Sequence, residues 1–137
     1  MRKSNWPGSL ALFVEEKRAQ PFDWETNNCA FFACDWITIL TCVDPTAQYR
    51  PRVNSALSAA RVLAEAGGIE AIAARACEEN GWPEIPPRLA QRGDILLSET
   101  TDEKSLGVCA GRDGIFAGKA GLVSVPVLKC VRAWRIS

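Results

Sequence analysis

Apolar residues recur every three or four positions from Ser9 to Glu79, then every second position from Asp94 to Ile136. The first period is that of an amphipathic helix, the second that of a half-buried strand. Leu10, Phe13 and Val14 line one face of a helix over 9–19, joined by the stem of Lys17. Glu15, Glu16 and Arg18 turn to water, and Pro21 stops the helix. A second helix, about 28–41, places Cys29, Phe32, Ala33, Trp36, Ile39 and Leu40 on one face, and Val43-Asp44-Pro45 ends it. Asn27 and Asn28 precede it, and both are good capping residues, because their side-chain oxygens accept from free first-turn N–H groups. Asn54 is placed to cap a third helix running through Ala56, Ala59, Val62 and Leu63 to the Gly67-Gly68 break. A fourth helix spans 69–79, turns Ile69, Ile72, Ala73 and Ala76 inward, and ends at Asn80-Gly81.

Beyond Pro83, Pro86 and Pro87 the period changes, and this short proline-rich stretch reads as a connection inside one domain. Strands are predicted at Asp94 to Ser98, Leu106 to Ala110, Gly114 to Ala117, Leu122 to Val125 and Leu128 to Ile136. Turn signals at Thr100 to Lys104, Gly111 to Gly114 and Gly118 to Gly121 separate them. Helices first and strands last indicate an α+β fold: N-terminal helices packed on a C-terminal, mostly antiparallel sheet or small open barrel. The expectation is a single domain over 1–137, with a helical half about 1–82 and a sheet half about 93–137.

Composition narrows the chemistry. A chain of 137 residues builds one core. Lys plus Arg equals Asp plus Glu, 16 each, so there is no basic footprint for nucleic acid or anionic lipid. Apolar runs fall short of a membrane span, and the first residues carry no signal-peptide pattern. Histidine is absent, which excludes Cys/His zinc sites and any Ser-His or Cys-His dyad within the chain. The six cysteines contain no C-x-x-C pair and are expected as reduced core thiols in a reducing cytosol. No cofactor is expected; a metal-bound module drawing on four of Cys29, Cys34, Cys42, Cys77, Cys109 and Cys130 is the alternative from a different class.

Cys29 is the leading candidate for chemistry. A thiol at a helix N-terminus sits at the positive end of the helix dipole, where cysteine nucleophiles are built, although a small buried residue fits the same position. Trp24 and Trp36 are candidates for lining a groove, and Asp23 and Glu25 for acid–base work or for capping a turn. Asp94 is placed to tie down a turn at a strand start, Tyr49-Arg50-Pro51-Arg52 to contact a partner, and Trp134 to anchor the C-terminal strand.

The Trp24 loop, Cys29 at the start of a buried helix, Arg92-Gly93-Asp94-Ile95-Leu96-Leu97 and Leu106-Gly107-Val108 resemble the NlpC-type cell-wall peptidases of the papain-like superfamily, and the ordered set Pro21 to Phe32, Asp44-Pro45, Gly67-Gly68, Gly93-Asp94-Ile95, Leu106-Gly107-Val108 and Ala133-Trp134-Arg135-Ile136 carries the closer match. That set resembles a divergent phage-borne branch encoded among minor tail genes. The resemblance covers nearly the full chain and implies Cys29 at the nucleophile position, Ser105 at the position of the family histidine and Phe116 at that of the third polar residue. Asn28 stands where the peptidases carry aspartate. Lys104 and Arg112 are the nearby cations, but neither delivers a proton to a leaving amine as imidazolium does. The resemblance therefore implies a phage or prophage tail-tip assembly protein on a catalytically degenerate fold. Its partners would be hub or distal tail subunits, in the host cytoplasm and then the virion tail, with no nucleic acid and no membrane span. The alternative is an active peptidoglycan peptidase with an unorthodox or subunit-supplied base.

Overall fold

The computed structural model describes residues 5–99 and 104–137. The first four residues, on which the signal-peptide reading partly rests, and the turn expected at Thr100 to Lys104, apart from Lys104, lie outside the described residues. Among the described residues the chain forms four α-helices followed by a six-stranded antiparallel sheet, so the architecture is α+β.

Helix α1, Trp6–Ala19, begins three residues earlier than expected, because Pro7 lies in its first turn, where a missing N–H costs nothing. It buries Leu10, Phe13 and the Lys17 stem. Helix α2, Cys29–Thr41, is the most apolar of the four helices, with Phe32 and Trp36 fully enclosed. It ends at Cys42, which adopts the left-handed conformation at φ 65°. Helix α3, Ala56–Ala66, is capped by Ser55 rather than Asn54. Ser55 Oγ accepts from Ser58 N while Ser58 Oγ accepts from Ser55 N, a reciprocal box. Gly67 and Gly68, at φ 90° and 100°, separate it from α4, Ile69–Glu79.

The strands are β1 (Glu84–Ile85), β2 (Ile95–Ser98), β3 (Ser105–Cys109), β4 (Asp113–Gly118), β5 (Gly121–Pro126) and β6 (Arg132–Trp134). Their order across the sheet is β1-β6-β2-β3-β4-β5. Two expectations need correction. The continuous strand from Leu128 to Ile136 is a single 3₁₀ turn, Val127–Lys129, followed by the short β6. Pro126 starts that turn, and the Cys130 N–H closes it onto the Val127 carbonyl. The proline-rich connection, conversely, contributes edge strand β1, paired with β6.

Strand alternation gives the sheet two buried faces. Ile95, Leu97, Leu106, Val108, Ala117 and Trp134 face the helices and form the main core with Phe13, Phe32 and Trp36. Leu96, Cys109, Phe116, Val125 and Ala133 face the other way, into a second core closed by Val127 and Cys130. On that second face Phe116 lies so close over Gly107 that a Cβ there would fall 2.5 Å from Phe116 Cδ2 and 2.6 Å from the Ile115 carbonyl. A third, smaller cluster of Phe31, Val53, Ala59 and Val62 joins α2 to α3, with Trp24 and Tyr49 at its margin. Among the described residues, no helix is long and apolar enough to cross a membrane.

Candidate functional site

The start of α2 is built by two asparagines with different tasks. Asn28 is the cap: its Oδ1 accepts from the N–H groups of Ala30 (3.0 Å) and Phe31 (2.9 Å), and its Nδ2 donates to the Trp24 carbonyl (2.8 Å). Asn27 is buried and does not cap. It ties the loop to the end of α1 by donating to the Pro21 carbonyl (3.1 Å), and it exchanges backbone hydrogen bonds with Asp23. Asp23 Oδ1 accepts from Glu25 N and Thr26 N, so Asp23 is a turn residue, and Glu25 is exposed beside it. Trp24 is half-buried, edge-on to Phe22 with ring centroids 5.0 Å apart.

This scaffold places Cys29 half-buried at the first helical position of α2. Cys29 lines a narrow apolar pocket of about 40 Å³ between the start of α2 and helices α3 and α4, with Trp24, Phe31, Tyr49, Leu63 and Ile72. The polar side chains in its lining are those of Asn28, Thr46 and Tyr49, with no carboxylate or amine. Two of the free N–H groups at the helix start are already taken by Asn28.

The other two positions that the sequence resemblance singles out, Ser105 and Phe116, lie across the sheet. Leu106 and Val108 of β3 point to the helices, so alternation turns Ser105 to the opposite face with Gly107 and Cys109. Phe116 is packed in the second core, on that opposite face. Cys29 itself packs against the main core that includes Leu106 and Val108. Cys29 opens toward α3 and α4, and Leu106 instead lines a separate small cavity with Ala30 and Cys34. The spacing already held this signal: if Leu106 and Val108 are core residues, Ser105 cannot share their face.

The remaining candidates are structural. Trp36 is fully buried and its Nε1 donates to the Gly93 carbonyl at 2.9 Å. Asp94 is fully buried and its carboxylate accepts from Gln91 N at 2.8 Å, holding the turn into β2. Trp134 is a core residue of β6, with the Arg132 guanidinium 4.9 Å from its ring centroid. Arg132 is committed to Glu70 (2.9 Å) and Glu84 (2.6 Å); these partners raise its pKa further and hold both carboxylates below their usual range.

Sequence reasoning missed a half-buried charge network beside the pocket. Lys17 of α1 donates to Asp35 of α2 at 2.6 Å, Arg50 donates to Asp35 at 2.7 Å, and Arg50 Nε donates to Asp44 at 2.7 Å. The Arg50 guanidinium also lies 4.5 Å from the Phe31 ring centroid. Burial opposes the Arg50 charge, but Asp35 and Asp44 outweigh it and hold its pKa above the ordinary value. The Tyr49–Arg52 stretch is thus tied inward by Arg50, and Arg52 pairs with Glu65. Only the unexplained inward position of Lys17 pointed to this network.

All six cysteines are free thiols. Burial pushes Cys34 and Cys77 up to about 12 and Cys130 up to about 11, so these behave as small apolar residues. Among the described residues, no three potential metal ligands converge.

The chain belongs to the family described as Domain of unknown function (DUF6950), whose family model matches residues 1–136. No curated protein matches it.

Proposed function

We propose that this member of the DUF6950 family is a non-hydrolytic binding component of a phage or prophage tail tip, built on a catalytically degenerate NlpC-type scaffold. One observation carries the non-hydrolytic part: Ser105 and Phe116 lie on the sheet face opposite the one packed by α2, so the family's acid–base positions do not converge on Cys29. Peptide hydrolysis by a thiol needs a thiolate, donors for the oxyanion and a group that returns a proton to the leaving amine. The pocket lining around Cys29 offers two hydroxyls and an amide, which are poor proton donors at neutral pH. Loss of general acid–base help removes typically ~10²- to 10⁴-fold in rate. The tail assignment rests on the ordered sequence resemblance from Pro21 to Ile136, and its partners are the neighbouring hub or distal subunits.

A second reading, a peptidase whose base comes from another subunit, draws on the placement of Cys29 at the first helical position beside an open pocket. One experiment separates the two. A phage or prophage carrying Cys29→Ala or Cys29→Ser is compared with one lacking the gene, and the purified protein is incubated with peptidoglycan. Deletion should abolish infectious tails, the point changes should leave plaque formation near normal, and peptidoglycan should stay intact. Cell-wall cleavage that disappears in Cys29→Ser, or normally assembled but non-infectious tails in that variant, would establish the peptidase reading.

A further inference from the structure

On the sheet face away from α2, two single 3₁₀ turns, Pro87–Leu89 and Val127–Lys129, pack against each other over the second core. They raise exposed apolar side chains: Leu89 is 53% exposed, Leu128 80%, and Val131 just beyond the second turn 45%. Leu128 has the highest exposure of any large apolar residue described. Burying such side chains is favourable, and water is a poor environment for three of them on neighbouring turns.

The same turns are one-sided in charge. Residues 86–93 hold Arg88 and Arg92 and no acidic residue; residues 126–131 hold Lys129 and no acidic residue. Arg112 joins them, because its carbonyl accepts the Val127 N–H at 3.0 Å. Of the acidic groups nearby, exposed Glu84 is paired with Arg132, and buried Asp94 lies 3.6 Å from Arg135. Asp113, half-buried, follows Arg112 at the start of β4. Among the described residues Arg88, Arg112 and Lys129, all exposed, form no ion pair. The whole chain is neutral, so this is a local excess set against an acidic remainder.

We propose that the paired turns carrying Leu89 and Leu128 are a docking surface for an acidic protein segment that interleaves carboxylates with apolar side chains. Charge complementarity selects the carboxylates, and the exposed leucines select the apolar positions between them. A nucleic acid or an anionic membrane would call for a broad basic field, and a chain with 16 charges of each sign does not supply one. The surface lies across the sheet from Cys29 and rests on none of the observations made there.

The test selects a displayed library of random short peptides against the immobilised full chain and measures the enriched peptides in solution. Enriched peptides should carry net negative charge with interspersed Leu, Phe or Trp. Arg88→Glu with Lys129→Glu should weaken them at least about fivefold, since exposed ion pairs are individually modest. Leu89→Ser with Leu128→Ser should weaken them about tenfold or more. Lys119→Glu, on the distant β4–β5 turn, should change nothing. These positions are exposed, and circular dichroism of both double variants checks that they fold. If the leucine pair fails to fold, the charge pair alone decides. No enrichment, enrichment of neutral or basic peptides, or equal binding to the wild type and the variants would overturn the proposal. So would binding to phosphatidylglycerol vesicles, or self-association of the chain, that is lost in the same variants.

Discussion

Replacing Asp35 by Asn tests the charge network that fixes α1 and the Tyr49–Arg52 stretch onto α2. Asp35 is the shared partner of Lys17 at 2.6 Å and Arg50 at 2.7 Å. Two unit charges ~4 Å apart attract by about 4 kcal/mol at an effective dielectric near 20, before desolvation is counted. Lys17 is the costly member, because its side chain is only 10% exposed and Asp35 is its recorded partner. Arg50 keeps Asp44 and loses less. Breaking a fully buried pair costs ~3–5 kcal/mol. Asp35 and Arg50 are each 26% exposed, so water screens part of the loss. The expected cost of Asp35→Asn is therefore about 2–3 kcal/mol, against less than ~0.5 kcal/mol for Glu15→Gln in the exposed Arg18 pair. Urea unfolding followed by tryptophan fluorescence measures it, because Trp36 is fully buried beside Phe13. The companion variant is Lys17→Met with Asp35→Asn, which removes the stranded charge along with its partner. It should be more stable than the sum of the two single losses predicts. A cost below ~0.5 kcal/mol for Asp35→Asn, or strict additivity in the double variant, would refute the reasoning.

Two further outcomes follow from the titrating groups. Maleimide at neutral pH should label exposed Cys42 and half-buried Cys29 first, and Cys34, Cys77 and Cys130 only in denaturant, because burial raises their pKa values to about 12, about 12 and about 11. Labelling under denaturing, non-reducing conditions should reach all six; rapid native labelling of Cys34, or fewer than six in denaturant, would contradict this. Burial raises the Asp44 pKa, but hydrogen bonds from Thr46 and Arg50 outweigh it and hold the folded value below the unfolded one. The stability Asp44 contributes is then present above the ordinary carboxylate value and lost as pH falls through the folded one, so Asp44→Asn should flatten the acid decline of the urea midpoint below about pH 4. An unchanged acid limb would show that Asp44 does not drive it.

The parts of the fold legible in the sequence were those with a strong local period or punctuation. Helix α4 ends where its pattern ends, and Asn28 caps α2 as its residue type suggests. The β4–β5 hairpin follows from the Gly118 to Gly121 signal. Strand β1 is two residues long between prolines, too short for a period to register, and exists only because β6 pairs with it. The 3₁₀ turn at Val127–Lys129 hid behind apolar residues, since a run that serves the second core looks like a strand until Pro126 is given weight. At the candidate site, the position of Cys29 was legible and its surroundings were not. The Lys17–Asp35 contact spans 18 positions and leaves no local trace, so pattern alone could place the Lys17 stem inward without finding its counter-ion.

On the proposed NlpC-type reading the two halves of cysteine hydrolysis would come apart in this chain, and that decides how Cys29 measurements are to be read. The positive end of α2 favours negative charge at its first turn. A thiol so placed is suited to attack an alkylating agent, which needs no returned proton. Turnover of an amide needs one, delivered where the amine departs, and neither Ser105 nor Phe116 lies on the sheet face that packs against α2. Fast alkylation of Cys29 is therefore expected under the binding reading and is no sign of a peptidase. Among measurements on the purified protein, only cleavage that disappears with Cys29→Ser bears on catalysis, and the peptidoglycan assay must be read beside the alkylation rate rather than inferred from it.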